Sequence, residues 1–146
     1  IGRYIIAWGA LSLAKTCMAR CLERAGTTRR FGTKLVRHQL VAKMITEMYL
    51  AINAAEAACI EAGMLHDEGA PSAMDATYVA KYTATKALSS VSATAIRLSG
   101  ASGCMDDTVI ARAYRDAPIL EIIEGSSELH EIQIADYVYK SFDFMT

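Results

Sequence analysis

The sequence has few residues that interrupt helices and no pattern typical of strands. Its 146 residues include two prolines, Pro71 and Pro118, and nine glycines. Runs in which Val or Ile alternate with polar residues, as a half-buried strand requires, are absent from it. The sequence therefore predicts an all-α protein, with both prolines between helices.

The sequence also lacks an excess of either charge and a long uncharged apolar run. Its formal net charge is −1, which gives no electrostatic reason to bind nucleic acid or an anionic membrane. The best apolar run, Tyr4 to Ala14, ends at Lys15 and is shorter than the roughly 18 residues that a membrane span needs. We therefore expect neither a nucleic-acid partner nor a membrane span.

Cysteine and histidine are too scattered to predict a metal site. The four cysteines stand at positions 17, 21, 59 and 104, and the chain has three histidines. Cys17 and Cys21 share a helix face, a spacing that two metal ligands can use, but no second ligand pair accompanies them. Small buried side chains in a reducing compartment are the better interpretation.

Helical periodicity extends over most of the chain. Apolar residues recur in steps of three and four over three long segments, at positions 6–21, 40–59 and 80–98. The stretch 61–71 has two glycines and a proline and is predicted as a loop, after which Ser72 is a good N-cap.

The remaining signals complete a bundle. Gly100 and Gly103 are predicted to end the third helix, and a short helix over 108–115 and a last helix over 127–142 follow. Residues 1–146 are therefore predicted to form one domain, a four-helix up-down bundle. An apolar content of 53% is high for a monomer and indicates an interface.

One segment joins an acid to a glycine just before a new helix. It reads RDAPILEIIEGSSE from Arg115 to Glu128, with Glu124 following Ile122 and Ile123. Apolar neighbours remove water from a carboxylate, so we expect a raised pKa and a competent base near neutral pH. The serines can cap the helix, whose free N–H groups form an anion site. The residues alone favour a simpler role, in which the acid complements the helix dipole.

Three segments resemble motifs of the acyl-CoA dehydrogenases, in the same order. The stretch YRDAPILEIIEGSSELHEIQIADY resembles the family's last block, which often reads RDAKI..IYEGTSEIQR..IAR. Arg30-Phe31-Gly32, with Leu35 and His38-Gln39, resembles the family's R-x-x-F-G…HQ segment. Leu98 to Gly103 is similar to its L-G-G-x-G turn. From the first to the last, the three segments span residues 30–137, which is most of the chain.

The resemblance implies the C-terminal helical domain of an FAD-dependent acyl-CoA, or acyl-carrier-protein, dehydrogenase. Such an enzyme removes an α-proton from an acyl thioester while a β-hydride passes to the flavin. By resemblance, Glu124 is the base. The implied cofactor-binding residues are Arg29, Arg30, Phe31, His38, Gln39, Arg97, Gly100, Ala101, Gly125, Ser126, Ser127 and Glu128.

The sequence departs from the family pattern at several of these positions. The family's arginine three residues before the phenylalanine is Thr28 here, with Arg29 and Arg30 as substitutes. Arg97 stands for a glutamine and Ala101 for a glycine, in a turn that the resemblance implies contacts the FAD of a neighbouring subunit. An arginine can still pair with a pyrophosphate.

The resemblance also implies partners and a location. They are an acyl-CoA or acyl-carrier-protein thioester, an electron-transfer flavoprotein, and further copies of the chain in a dimer or tetramer. The expected location is the bacterial cytoplasm or the mitochondrial matrix. The family's N-terminal helical and middle β-domains have no counterpart in the sequence. Two alternatives stay open: an acyl-CoA oxidase, and a non-catalytic helical oligomerisation module.

Overall fold

Five α-helices and a two-stranded hairpin make up residues 1–142, the part of the chain that the computed structural model describes. The helices are α1 (Gly2–Thr27), α2 (Gln39–Asp67), α3 (Ala73–Ser99), α4 (Val109–Ile122) and α5 (Ser127–Ser141). The strands β1 (Arg29–Arg30) and β2 (Thr33–Lys34) pair antiparallel between α1 and α2. Short 3-10 turns cover Leu35–Arg37 and Gly100–Cys104. The all-α prediction is confirmed, with five helices instead of four.

Helix α3 lies at the centre of the bundle and contacts the other four helices. Its buried face is rich in small residues, which lets the neighbouring helices approach closely. The core of the described chain includes Ala7, Ala10, Leu11, Ala14, Cys17 and Cys21 from α1, Met48, Ile52, Ala55, Cys59 and Ala62 from α2, and Ala80, Ala84, Leu88, Val91 and Ala95 from α3. Burial raises the pKa of the thiols of Cys17, Cys21 and Cys59 to about 11.

Successive helices run in alternating directions, which gives the bundle two distinct ends. The hairpin end holds the hairpin, the last turn of α3 and the first turn of α4. The loop end holds the first turns of α1 and α3 and the loop from α4 to α5. Helix α3 has 27 residues, so the two ends lie about 40 Å apart at 1.5 Å per residue.

Helix α1 is long and apolar enough to span a membrane, by length and composition alone. It has 26 residues, and its most apolar 18-residue window has a mean hydropathy of 1.3 although the helix contains charged residues such as Lys15. Seven of its residues are buried against other helices. Its apolar side therefore belongs to the core of the bundle.

Two sequence predictions about helix length are wrong. Residues 61–71 are not all loop, because α2 continues to Asp67 and the reversal occurs at Gly69, where φ is +66°. Gly63 does not break α2; the absence of a side chain admits the Tyr4 ring of α1, whose hydroxyl donates to the Cys59 carbonyl over 3.2 Å.

The predicted short helix is also longer than expected. Helix α4 runs through Pro118 to Ile122 although proline removes one main-chain hydrogen bond. Ala113 and Ala117 are buried in the core on the inner face of this helix, and that packing outweighs the local cost of the proline. Ser72 precedes α3 as predicted, but its side chain makes no capping bond.

Candidate active site

The loop between α4 and α5, called the Glu124 loop (residues 123–126), is a tight left-handed turn. Glu124 has φ +58° and Gly125 has φ +100°. A residue with a Cβ pays about 1–2 kcal/mol to adopt such a φ, so this backbone must be held by its surroundings. Ser126 then caps α5, because its hydroxyl oxygen accepts from the Leu129 N–H over 3.4 Å.

The Glu124 carboxylate projects out of this turn toward the first residue of α1. A Cβ built on Gly2 would lie 2.6 Å from the Glu124 Oε2, so the glycine makes room for the carboxylate. The expectation that neighbouring isoleucines bury the carboxylate is wrong for this chain. Glu124 is exposed, and Ile122 and Ile123 are 66% and 38% exposed. Residues 1–142 therefore do not remove water from the Glu124 carboxylate.

Glu121, the other acid near the loop, is fully engaged inside the chain. Its carboxylate accepts from Lys86 Nζ over 2.6 Å, from Ser127 Oγ over 3.3 Å and from the Ser89 hydroxyl. Partial burial raises the pKa of Glu121, but the bonds from Lys86 and Ser89 outweigh it and hold the pKa below its usual range. An acid held ionised by three donors is a poor proton acceptor, so Glu121 is a structural group.

A buried lysine lies beneath the Glu124 loop. Lys81 of α3 is 0% exposed, and its Nζ donates to the main-chain carbonyls of Glu121, over 3.3 Å, and Gly125, over 2.5 Å. Burial and the nearby charge of Arg3 lower the pKa of Lys81, and the carboxylates of Glu121 and Glu124 act in the opposite direction.

A buried histidine supports the loop from the side of α5. His130 is 1% exposed, and its ring lies 5.4 Å from that of Tyr78. Neither of its ring nitrogens has a hydrogen-bond partner among the described residues. Burial, followed by the positive charges of Lys81 and Arg3, lowers the pKa of His130. Arg3 itself lies over the Tyr78 ring, 5.5 Å from its centre.

The three residues after Gly125 differ in their exposure to solvent. Ser127 is buried, and its hydroxyl is committed to Glu121. Ser126 is half-buried and Glu128 is exposed, so these two remain accessible to a ligand. A bond from the Glu128 main-chain N–H, and then one from the Ser126 hydroxyl, lower the pKa of Glu128.

The predicted arginine and phenylalanine residues form the turn of the hairpin. Phe31 has φ +51° and Gly32 has φ +81°, and the Phe31 ring is 96% exposed with its edge toward His38. The Arg29 guanidinium donates to the Gly32 carbonyl over 3.0 Å. The hairpin directly precedes α2, as the sequence predicted, and Gln39 is the exposed first residue of that helix.

The predicted glycine turn ends α3 at the same end of the bundle. Gly100 has φ +63° and begins the 3-10 turn that follows Ser99. Arg97 is exposed, with one guanidinium N–H donating to the Thr94 hydroxyl over 3.0 Å, and Ala101 is exposed too. The turn therefore offers a guanidinium and open backbone to solvent.

The structure thus divides the predicted site residues into two groups at opposite ends of the bundle. Glu124, Gly125, Ser126, Ser127 and Glu128 lie at the loop end. Arg29 to Gln39 and Arg97 to Ala101 lie at the hairpin end. Because the Glu124 loop meets α3 at Lys81, the two groups are about 25–30 Å apart along α3. The two groups of predicted site residues are therefore not brought together within one copy of the chain.

The sequence prediction missed Gly2, Arg3, Lys81 and His130, all of which surround the Glu124 loop. A signal for Lys81 was present, because Thr77, Lys81, Thr85 and Leu88 share one face in steps of three and four, where a lysine is out of place. His130 carried no comparable signal, since a histidine on a helix with few buried residues is unremarkable in sequence.

Comparison with known proteins agrees with this geometry. The family model described as "Acyl-CoA dehydrogenase, C-terminal domain" matches residues 1–139. The chain belongs to the acyl-CoA dehydrogenase family.

Relatives within the acyl-CoA dehydrogenase family are similar over almost the whole chain. The human short-chain specific acyl-CoA dehydrogenase of mitochondria is 33% identical over 97% of this chain and 34% of its own length. The butyryl-CoA dehydrogenase structure from Megasphaera elsdenii is 27% identical, with a TM-score of 0.90 over 94% of this chain and 36% of its own. The structure of a glutaryl-CoA dehydrogenase in complex with glutaryl-CoA is 30% identical, with a TM-score of 0.87. The match covers 94% of this chain and 35% of that one. The chain therefore spans about a third of the length of the curated relatives it matches.

Proposed function

We propose that this chain supplies the proton-abstracting base and part of the cofactor-binding surface of an FAD-dependent acyl-CoA dehydrogenase. The observation that carries the proposal is the contrast between two acids. Glu124 projects freely from a rigid turn, whereas Glu121 is bound by three donors. Of the two, only Glu124 is placed to reach a proton on a bound molecule.

The chemistry requires a positioned base, because the α C–H of a thioester is a very weak acid. The Glu124 carboxylate takes that proton, and donors near the thioester oxygen stabilise the developing negative charge. The Glu124 main-chain N–H is proposed as one of these donors. A bound flavin would supply the acceptor for the hydride that leaves the β carbon.

The residues at both ends fit a flavin dinucleotide. At the loop end, Gly125 has no side chain, and the hydroxyl of the half-buried Ser126 is accessible at the start of α5. At the hairpin end, Arg29, Arg30 and Arg97 are exposed cations suited to a pyrophosphate. Because these two groups are about 25–30 Å apart along α3, we propose that each cofactor lies between two copies of the chain.

Apolar side chains on the outer faces of α2 and α5 supply surface for such an assembly. Leu40, Leu50 and Met64 of α2 and Ile132 and Tyr139 of α5 are each about half exposed or more. Such surface is usually covered in the assembled protein. The substrate is proposed as an acyl-CoA thioester, and an acyl-carrier-protein thioester, the electron-transfer flavoprotein and the location stay predictions.

The test replaces each acid in a full-length protein that carries this chain. Glu124→Gln keeps the shape of the side chain and removes the base, so acyl-CoA should still bind while flavin reduction slows by a factor of about 10² to 10⁴ or more. The measurement is stopped-flow flavin absorbance after mixing with acyl-CoA. Glu121→Gln is the matched control and should cost much less.

Two results would contradict the proposal. One is flavin reduction by Glu124→Gln at the wild-type rate while Glu121→Gln is slow, which would exchange the roles of the two acids. The other is a full-length protein without flavin absorbance, which would favour the non-catalytic oligomerisation module.

A further inference from the structure

Lys81 of α3 is a lysine buried in the core of the bundle. Its side chain is 0% exposed, among the alanines and threonines of α3 that pack against the rest of the bundle. Burying an ammonium costs several kcal/mol unless it is well compensated, so lysines are rarely retained in such places. The groups that accept hydrogen bonds from the buried Lys81 ammonium therefore indicate what this residue does.

The first acceptor of Lys81 lies at the end of α4. The Glu121 carbonyl belongs to the last turn of that helix, whose carbonyls have no partners further along the helix. A cation near a helix C-terminus is favourable, and α4 has no basic residue in its own last turn. Lys81 supplies this charge from the neighbouring helix.

The second acceptor lies one residue beyond Glu124. The Gly125 carbonyl accepts from Lys81 Nζ, so the two bonds of one ammonium bracket Glu124 from positions 121 and 125. On the other side, the His130 ring fills the space behind Gly125, where an added Cβ would lie 3.0 Å from Nε2. Lys81 and His130 therefore support the loop from two sides. The Glu124 side chain extends in the direction left open, toward Gly2.

We infer that Lys81 is a positioning residue for the reaction: its ammonium ties the end of α4 to the Glu124 loop and so fixes the direction in which the Glu124 carboxylate points. This inference rests on the proposed function. It differs from a merely structural role, in which Lys81 would stabilise the core without affecting Glu124.

The test uses Lys81→Met in the full-length protein, which keeps a long apolar side chain and removes the charge and both donors. Lys86→Met is the matched control: Lys86 lies five residues along the same helix, and its ammonium bonds the side chain of Glu121 instead of the loop backbone. Lys81→Gln, shorter and still a donor, is the second variant if the methionine variant does not fold. Folding is checked by circular dichroism.

Two measurements decide the inference. Hydrogen exchange of residues 119–130 should rise by about ten-fold or more in Lys81→Met, with exchange in α2 unchanged, because the loop loses both tethers. Flavin reduction at saturating acyl-CoA should fall by roughly 10²-fold, since a misplacement of about 1 Å has that effect. Lys86→Met should show neither change.

A comparison of kcat with KM separates positioning from core stability. A misdirected Glu124 should lower kcat and leave the KM for acyl-CoA unchanged, because the groups that bind the substrate remain in place. A variant that is only less stable should keep the wild-type kcat per folded, flavin-containing protein.

Each contrary outcome has its own meaning. Unchanged hydrogen exchange in a folded Lys81→Met variant would show that Lys81 does not hold the loop. Faster exchange with an unchanged rate of flavin reduction would leave Lys81 as a core stabiliser and overturn its positioning role. A wild-type rate for Glu124→Gln would instead reject the proposed function, while the exchange result would still show whether Lys81 holds the loop.

Discussion

Two loops of this chain share one local conformation and differ in what supports it. In the hairpin, Phe31 and Gly32 are both left-handed, and in the Glu124 loop Glu124 and Gly125 are left-handed in the same order. The hairpin turn is held by exposed hydrogen bonds, such as that from Arg29 to the Gly32 carbonyl. The Glu124 loop is held from the interior by two side chains, Lys81 and His130, that are at most 1% exposed.

The difference shows how a strained turn becomes a precise one. An exposed hydrogen bond competes with water and contributes little, whereas a buried one costs a great deal to break. The hairpin can therefore adapt to what covers it, which suits a turn with a 96% exposed phenylalanine. The Glu124 loop is supported by buried contacts within its own chain, as the proposed base would require.

The sharpest way to break this contrast is to add one methyl group to each turn. Gly125→Ala places a Cβ 3.0 Å from the buried His130 ring at φ +100°, so the loop must shift, and flavin reduction should fall by roughly 10²-fold. Gly32→Ala meets nothing within 4 Å and pays only the left-handed backbone cost of about 1–2 kcal/mol. Stopped-flow reduction and melting temperatures of the two full-length variants measure this. Equal loss of rate in both would remove the contrast.

A smaller effect is expected where α1 meets the carboxylate. Gly2→Ala would place a Cβ 2.6 Å from the Glu124 Oε2, and the flexible carboxylate should move instead of the helix. We expect the rate of flavin reduction to fall about ten-fold with little change in melting temperature. Gly9→Ala, on the same helix and in open space, is the control and should leave the rate unchanged. A wild-type rate for Gly2→Ala would show that the reaction does not depend on the Glu124 carboxylate lying beside Gly2.

The smallest expected effect is an acid sensitivity of the Glu124 loop alone. The pKa of His130 is lowered in the folded chain. The neutral ring therefore contributes its full stability above about pH 6.5, and this contribution is lost as the pH falls toward the pKa of the folded state. Between pH 7 and pH 5, hydrogen exchange of residues 119–130, corrected for its intrinsic pH dependence, should rise a few-fold relative to residues 28–38. His130→Gln should abolish this dependence. The same rise in the glutamine variant would assign it to another group.

Most of the fold was predictable because helical periodicity needs only local sequence. The third helix ends at Ser99 and the last begins at Ser127, as Gly100 and the EGSS segment indicated. The errors have tertiary causes. Gly63 continues α2 because Tyr4 of another helix occupies the space beside it, and α4 continues through Pro118 because Ala117 is buried in the core. Local signals contain neither contact.

The candidate site was predictable where a motif carried it and not where packing built it. Glu124 and the turn of Phe31 stand in recognisable segments, and the structure gives both a left-handed backbone. Lys81, 43 residues before Glu124, reaches the loop only because α3 and α4 pack antiparallel. The exposure of Ile122 and Ile123 was likewise invisible in sequence, since an apolar pair looks the same whether its own chain or another part of the protein covers it.

The distance of about 25–30 Å along α3 between the two groups of site residues has a genetic consequence under the proposed function. If each cofactor takes its base from one copy and its guanidinium contacts from another, then a chain defective at Glu124 and a chain defective at Arg97 are not equivalent losses. In a mixed pair, both defects fall on one cofactor and the other cofactor meets two undamaged ends. Two alleles that are each inactive would then complement each other and restore up to half of the sites in the mixed pair.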